Sequence, residues 1–211
     1  MLIEETISRI RPVNRGARER AWKRWDSIAK PLRSLGKLEE VVVQLAGIAG
    51  TDDVTLNKKG VVICCADNGI VEEGVTQTGQ DVTAIVAENF LDGCTSVAIM
   101  AKQAGAPLFP MDLGMITDTR VERHKTLYGT HNFTKGPAMS REDAVQAVEA
   151  GIRKVAELKA AGYQILATGE MGIGNTTTSS AMTSVFLDVP PEEVTGRGAG
   201  LTSAGLEKKI Q

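Results

Sequence analysis

Apolar positions along residues 14–29 (NRGARERAWKRWDSIA) recur at helical spacing. Ala21, Trp22, Trp25, Ile28 and Ala29 share one face, with Arg and Lys on the other. Asn14 stands where a helix N-cap is expected. Pro31 ends this helix, and LEEVVVQLAGIAG restarts one after a turn. From residue 59 the period changes. KGVVICCADNG is a short run rich in β-branched residues without polar alternation, as in a strand covered on both faces of a parallel sheet. QDVTAIVAENFLDG and TSVAIMAKQAG predict helices, and APLFPMDLG predicts a second strand, weakened by Pro107 and Pro110. Residues 115–139 show no period and read as an irregular excursion. SREDAVQAVEAGIRKVAELKAAG is a strong helix, with Ser140 as cap, acids in its first turn and Gly162 past its end. YQILATGE gives a third strand, and GIGNTTTSSAMTSVFLD opens another helix.

The order β, α, α, β, α, β, α predicts an α/β fold with a mainly parallel sheet flanked by helices. Residues 1–50 are expected to form a helical arm belonging to a small second domain, and residues 51–211 the α/β domain. The pattern breaks off at GLEKKIQ, in the opening turns of a helix begun near Thr202. The α/β domain is therefore expected to be incomplete on its C-terminal side, the chain being a truncated piece.

Hydrophobic residues make up 42% of the 211 positions, enough for a sizeable core, which excludes a disordered or collagen-like chain. With 24 Lys+Arg against 26 Asp+Glu, net charge gives no reason to expect nucleic acid or an anionic membrane as partner. Cys64, Cys65 and Cys94 lack metal-ligand spacing and read as small apolar residues in a reducing cytoplasm. The first residues lack the continuous apolar core of a signal peptide, and no uninterrupted apolar run approaches the ~18 residues of a membrane helix. A cytoplasmic location is expected.

Each strand candidate ends in an acid: Asp67, Asp112 and Glu170. At the carboxyl edge of a parallel sheet, where ligands bind, these acids fit three roles. They could hold a divalent metal, accept from a heterocycle N–H, or serve as acid and base. GEMGIGNTTT runs from strand into helix. Gly172 and Gly174 let the backbone turn its N–H groups outward, Asn175, Thr176 and Thr177 add donors, and the helix N-terminus adds positive charge. The segment fits neither nucleotide-binding glycine pattern in full. TGRGAGLTSAGLEKK is a second glycine-rich turn, with Gly196, Gly198, Arg197, Lys208 and Lys209. His124 and His131, in the irregular excursion, read as surface or structural residues. The residues alone thus indicate an α/β enzyme binding a phosphorylated small molecule. A metal-dependent phosphohydrolase using Asp67, Asp112 and Glu170 and a non-catalytic nucleotide-binding remnant stand as alternatives.

The segments PLRSLGKLEEVVVQLAGI, CADNGIVEEGV, QDVTAIVAENFLDG, GPAMSREDA, GEMGIGNTTTSSAM and GRGAGL, in this order, carry a further inference. The chain resembles the nicotinate-nucleotide–dimethylbenzimidazole phosphoribosyltransferase family of cobalamin lower-ligand synthesis. That resemblance implies a Rossmann-like large domain and a small helical domain. It also implies a homodimer and a reaction without metal or organic cofactor. Nicotinate mononucleotide and 5,6-dimethylbenzimidazole would give α-ribazole 5′-phosphate and nicotinate, with inversion at the anomeric carbon. By the same resemblance, Glu170 and Met171 border the base and nucleotide, while Gly172, Gly174, Asn175 and Thr176 hold phosphate and ribose. Gly196, Gly198 and Lys209 form the second phosphate side, and Glu39 and Thr78 face the benzimidazole. Asn68 replaces a common His, and Val86 stands where some members carry a Gln near the base, which opens the choice of base. The family's general-base glutamate falls in a segment outside these residues. No catalytic residue is therefore expected in this chain, and at most residual turnover from it alone.

Overall fold

The computed structural model describes all residues from Met1 to Gln211, which divide into two compact units, Met1–Asn57 and Lys58–Gln211. In the first, α1 (Leu2–Ser8) precedes α2 (Arg15–Asp26) and α3 (Lys37–Ala49). Asn14 caps α2, its Oδ1 accepting from the Ala17 N–H at 2.9 Å. Ala21, Val43 and Ala46 are buried between α2 and α3, with Trp22, Trp25 and Val54 packed on them. Gly47 permits the close approach, because a Cβ there would lie 2.7 Å from Arg18 Cγ. The Arg33 guanidinium stacks over the Trp22 ring at 3.7 Å, so part of the basic surface serves the packing of this unit. Sequence periodicity did not separate α1, whose seven residues bury no side chain.

The second unit is built on β1 (Lys59–Ala66), β2 (Leu108–Gly114), β3 (Glu122–Arg123) and β4 (Ile165–Met171), all parallel in the order β3-β2-β1-β4. Its helices are α4 (Asp81–Asp92), α5 (Ser96–Gln103), α6 (Arg141–Ala160), α7 (Asn175–Leu187), α8 (Pro191–Val194) and α9 (Ser203–Ile210). Alternation along β1 explains its unbroken apolar run. Ile63 and Cys65 pack with Ala87 and Phe90 of α4, while Val62 packs on the other face with Ala150 and Leu158 of α6. The α/β, mainly parallel expectation therefore holds.

Two local expectations are corrected. Pro110 does not interrupt β2, because odd-numbered backbone groups face β1, as in the 2.9 Å bond from Val61 N–H to the Pro107 carbonyl. Pro110 thus turns its missing donor toward β3, which reaches only Met111 and Asp112. The excursion after residue 114 is not wholly irregular, since it supplies β3. Asp81–Gln103 is apolar enough over 18 residues to suggest a membrane span. Gly93, left-handed at φ +75°, and the Thr95 cap nevertheless split it into α4 of 12 residues and α5 of 8. Ala84, Ala87 and Phe90 of α4 are buried.

Strand order also locates the site. From β1 the chain moves outward through β2 to β3, then returns to place β4 on the other side of β1. Beyond the carboxyl ends of β1 and β4 this reversal opens the crevice where open α/β sheets bind ligands.

Candidate functional site

Two turns meet at that crevice. After β1 comes Asp67-Asn68 and a single 3-10 turn, Gly69–Glu73, and after β4 comes Gly172-Ile173-Gly174 and α7. A Cβ on Gly172 would lie 2.1 Å from the Ala66 carbonyl oxygen and 2.9 Å from Glu170 Oε1. Gly174 has φ +89°. These glycines are thus required by close approach and by a left-handed backbone. Gly172→Ala is expected to destabilise the protein by roughly 1–3 kcal/mol, because backbone must move to admit the methyl. A thermal or denaturant melt measures this, and an unchanged midpoint would show that the turn yields freely.

The start of α7 does not present its amides as the sequence suggested. Asn175 N–H bonds the Gly172 carbonyl at 3.1 Å, and Thr176 N–H bonds Asn175 Oδ1 at 2.7 Å. Thr177 and Thr178 N–H groups both reach the Gly174 carbonyl. The positive element of the pocket is instead Lys209 of α9. The residue is buried at 8% exposure, and its ammonium donates to Thr176 Oγ1 at 2.8 Å and to the Gly196 carbonyl at 3.0 Å. Both acceptors are neutral. Burial without a carboxylate pulls the Lys209 pKa below its ordinary value. A buried cation with only neutral partners is complementary to an incoming anion.

Thr78, Gly172, Gly174, Asn175, Thr176, Gly198 and Lys209 line one pocket, together with Gln77 and Arg197. Gly198, at φ +57°, sits where a Cβ would meet Thr176 Oγ1 at 2.8 Å, which keeps the hydroxyl beside Lys209. Gly196 joins through its carbonyl. Glu170 borders the turn and accepts from the Asn175 amide. Although Glu170 as a residue retains solvent exposure, desolvation of its carboxyl raises the pKa, and the Asn175 bond only partly offsets this. Met171 and Val86 pack together on the core cluster that contains Ile63 and Phe90, so their placement is apolar. Sequence reasoning missed Gln77, which reaches the Gly200 carbonyl across 123 residues. No local signal marks such a pair.

Other sequence candidates are held by partners of their own. Glu39 belongs to the Met1–Asn57 unit, where its buried carboxylate accepts from Lys30 at 2.8 Å and from Leu35 N–H at 3.1 Å. The Lys30 ammonium holds its pKa below the usual carboxylate range. The metal-ligand reading of Asp67, Asp112 and Glu170 is corrected. Asp112 is engaged by Gly114 N–H, Met115 N–H and the Lys125 ammonium, while Asp67 accepts from Ile116 N–H at 2.8 Å. The three converge on no common point, and no group of three His, Cys, Asp or Glu side chains is placed to hold a metal ion. His124 stands 2.9 Å from Glu122 of β3, outside the pocket.

A family model described as Phosphoribosyltransferase matches residues 10–211. A nicotinate-nucleotide–dimethylbenzimidazole phosphoribosyltransferase from Clostridium tetani is 44% identical over 211 residues, covering 99% of this chain and 58% of that protein. One of the same name from Ruminiclostridium cellulolyticum is 46% identical, covering 100% and 61%. The crystal structure of CobT from Thermus thermophilus superposes with a TM-score of 0.89 at 38% identity, covering 92% of this chain and 60% of that one. The chain therefore spans about three fifths of the length of these relatives.

Proposed function

Because this chain belongs to the phosphoribosyltransferase family, we propose that it takes part in moving the phosphoribosyl group of nicotinate mononucleotide to 5,6-dimethylbenzimidazole or a related aromatic base. One observation carries the reading: the buried Lys209 ammonium, held by Thr176 and Gly196, in a pocket walled by glycine turns. An anionic 5′-phosphate supplies the charge partner that Lys209 lacks. The ribose then extends from the phosphate along the turn bordered by Asn175 and Glu170. Transfer forms a bond from the base's unprotonated ring nitrogen to the anomeric carbon as the bond to nicotinate breaks, and the proton on the other ring nitrogen must leave. A carboxylate within about 3 Å of that nitrogen removes it, a contribution of typically ~10²–10⁴-fold.

The resemblance sets that general base outside residues 1–211, so these residues by themselves are expected to bind nucleotide and turn it over residually at most. The reading includes a homodimer, as the resemblance implies, and a cytoplasmic location. Its test is nicotinate release, followed by chromatography, from nicotinate mononucleotide with and without dimethylbenzimidazole. Release that is slow and dependent on the base supports transfer. Release that ignores the base would favour simple hydrolysis, and turnover at the rate of full-length relatives would contradict the placement of the general base.

A further inference from the structure

Asn68 lies outside the pocket lining, yet it is buried at 9% exposure and makes four hydrogen bonds, two of them through its side chain to the turn and α7 and two through its carbonyl to Val71 N–H and Gln80. Its Nδ2 donates to the Ile173 carbonyl at 3.2 Å, and its Oδ1 accepts from Thr178 Oγ1 at 2.9 Å. Its own carbonyl is held by Gln80 Nε2 at 3.0 Å, which fixes the residue from behind. On the other side of Ile173, the N–H donates to Thr83 Oγ1 at 3.1 Å, and Thr83 is fully buried in α4. Ile173 is thus pinned at both of its backbone polar groups, between two glycines that would otherwise leave the turn loose.

A trans peptide is planar, with its C=O and N–H pointing in opposite directions. Asn68 draws the Ile173 carbonyl toward itself and so turns the Gly174 N–H, in the same peptide unit, away from Asn68. That N–H has no intramolecular acceptor, and Gly174 lines the pocket. We propose that Asn68, with Thr83 as its counterpart, is a positioning residue that aims the Gly174 N–H at the anion beside Lys209. This inference rests on the nucleotide-phosphate reading of that pocket.

The test compares nicotinate mononucleotide with nicotinate riboside, the same nucleoside without phosphate, by titration calorimetry. Asn68→Asp keeps the size and the acceptor for Thr178 but cannot donate to the Ile173 carbonyl. Thr83→Val keeps the shape and removes the acceptor for the Ile173 N–H, so a folding failure of one variant leaves the other. The expected result is about a tenfold loss of affinity for the mononucleotide with riboside affinity unchanged. Equal weakening toward both ligands, or none toward either, overturns the positioning role while leaving the parent reading intact. A wild-type protein that binds neither ligand overturns both.

Discussion

Replacing Lys125 by Met is expected to destabilise the protein by about 3–5 kcal/mol, the usual cost of leaving one member of a buried ion pair alone. The Lys125 side chain is fully buried and lies 2.8 Å from Asp112 Oδ2, with further bonds to Asp118 and the Met115 carbonyl. Burial alone would lower its pKa, but hydrogen bonds to Asp112 and Asp118 outweigh that and raise it. Because Asp112 sits in β2 between β1 and β3, its uncompensated charge would fall in the middle of the sheet. Adding Asp112→Asn should recover part of the loss, since both charges are then gone while the amide oxygen still accepts from Gly114 and Met115 N–H. Chemical denaturation measures both values. A loss below about 1 kcal/mol for Lys125→Met would contradict the account, because Asp112 would then not be left as an uncompensated buried charge.

Lys209→Met should do the reverse. Removing a buried ammonium that touches only neutral acceptors leaves the ligand-free protein at least as stable, while binding of ribose 5-phosphate or nicotinate mononucleotide falls about 10–100-fold. That range is a charge-assisted hydrogen bond worth about 1.5–3 kcal/mol. The pH dependence has a definite sign. Folding lowers the Lys209 pKa, so the desolvation penalty is fully present below that folded value. It fades as pH rises from there toward the unfolded value of 10.5. Wild-type stability therefore gains on the variant across that alkaline window, and phosphate affinity declines as pH passes the folded value. A melting temperature that drops sharply in Lys209→Met, with ligand affinity preserved, would make Lys209 a structural residue.

Much of this arrangement was legible in the residues because it is local. The unalternating run of β1, the Ser140 cap and the glycines of GEMGIGN each dictate backbone behaviour within a few positions. Pro110 misled because its acceptability depends on which neighbour its nitrogen faces, a property of strand order. Asp67, Asp112 and Glu170 looked equivalent as strand-end acids, but Lys125, thirteen residues beyond Asp112, claims one of them. Lys209 stood out by its place in the resemblance. Its lack of a carboxylate partner, which gives it chemical meaning, appears only when α9 and Gly196 are brought together.

The most direct measurement is the affinity of the unmodified protein for nicotinate mononucleotide against nicotinate riboside, both by titration calorimetry near neutral pH. If the glycine turns and Lys209 hold a nucleotide 5′-phosphate, the mononucleotide binds at least about tenfold more tightly, the least expected of one charge-assisted contact. Equal affinities would contradict it, because the pocket around Lys209 would then contribute nothing to recognising the phosphate.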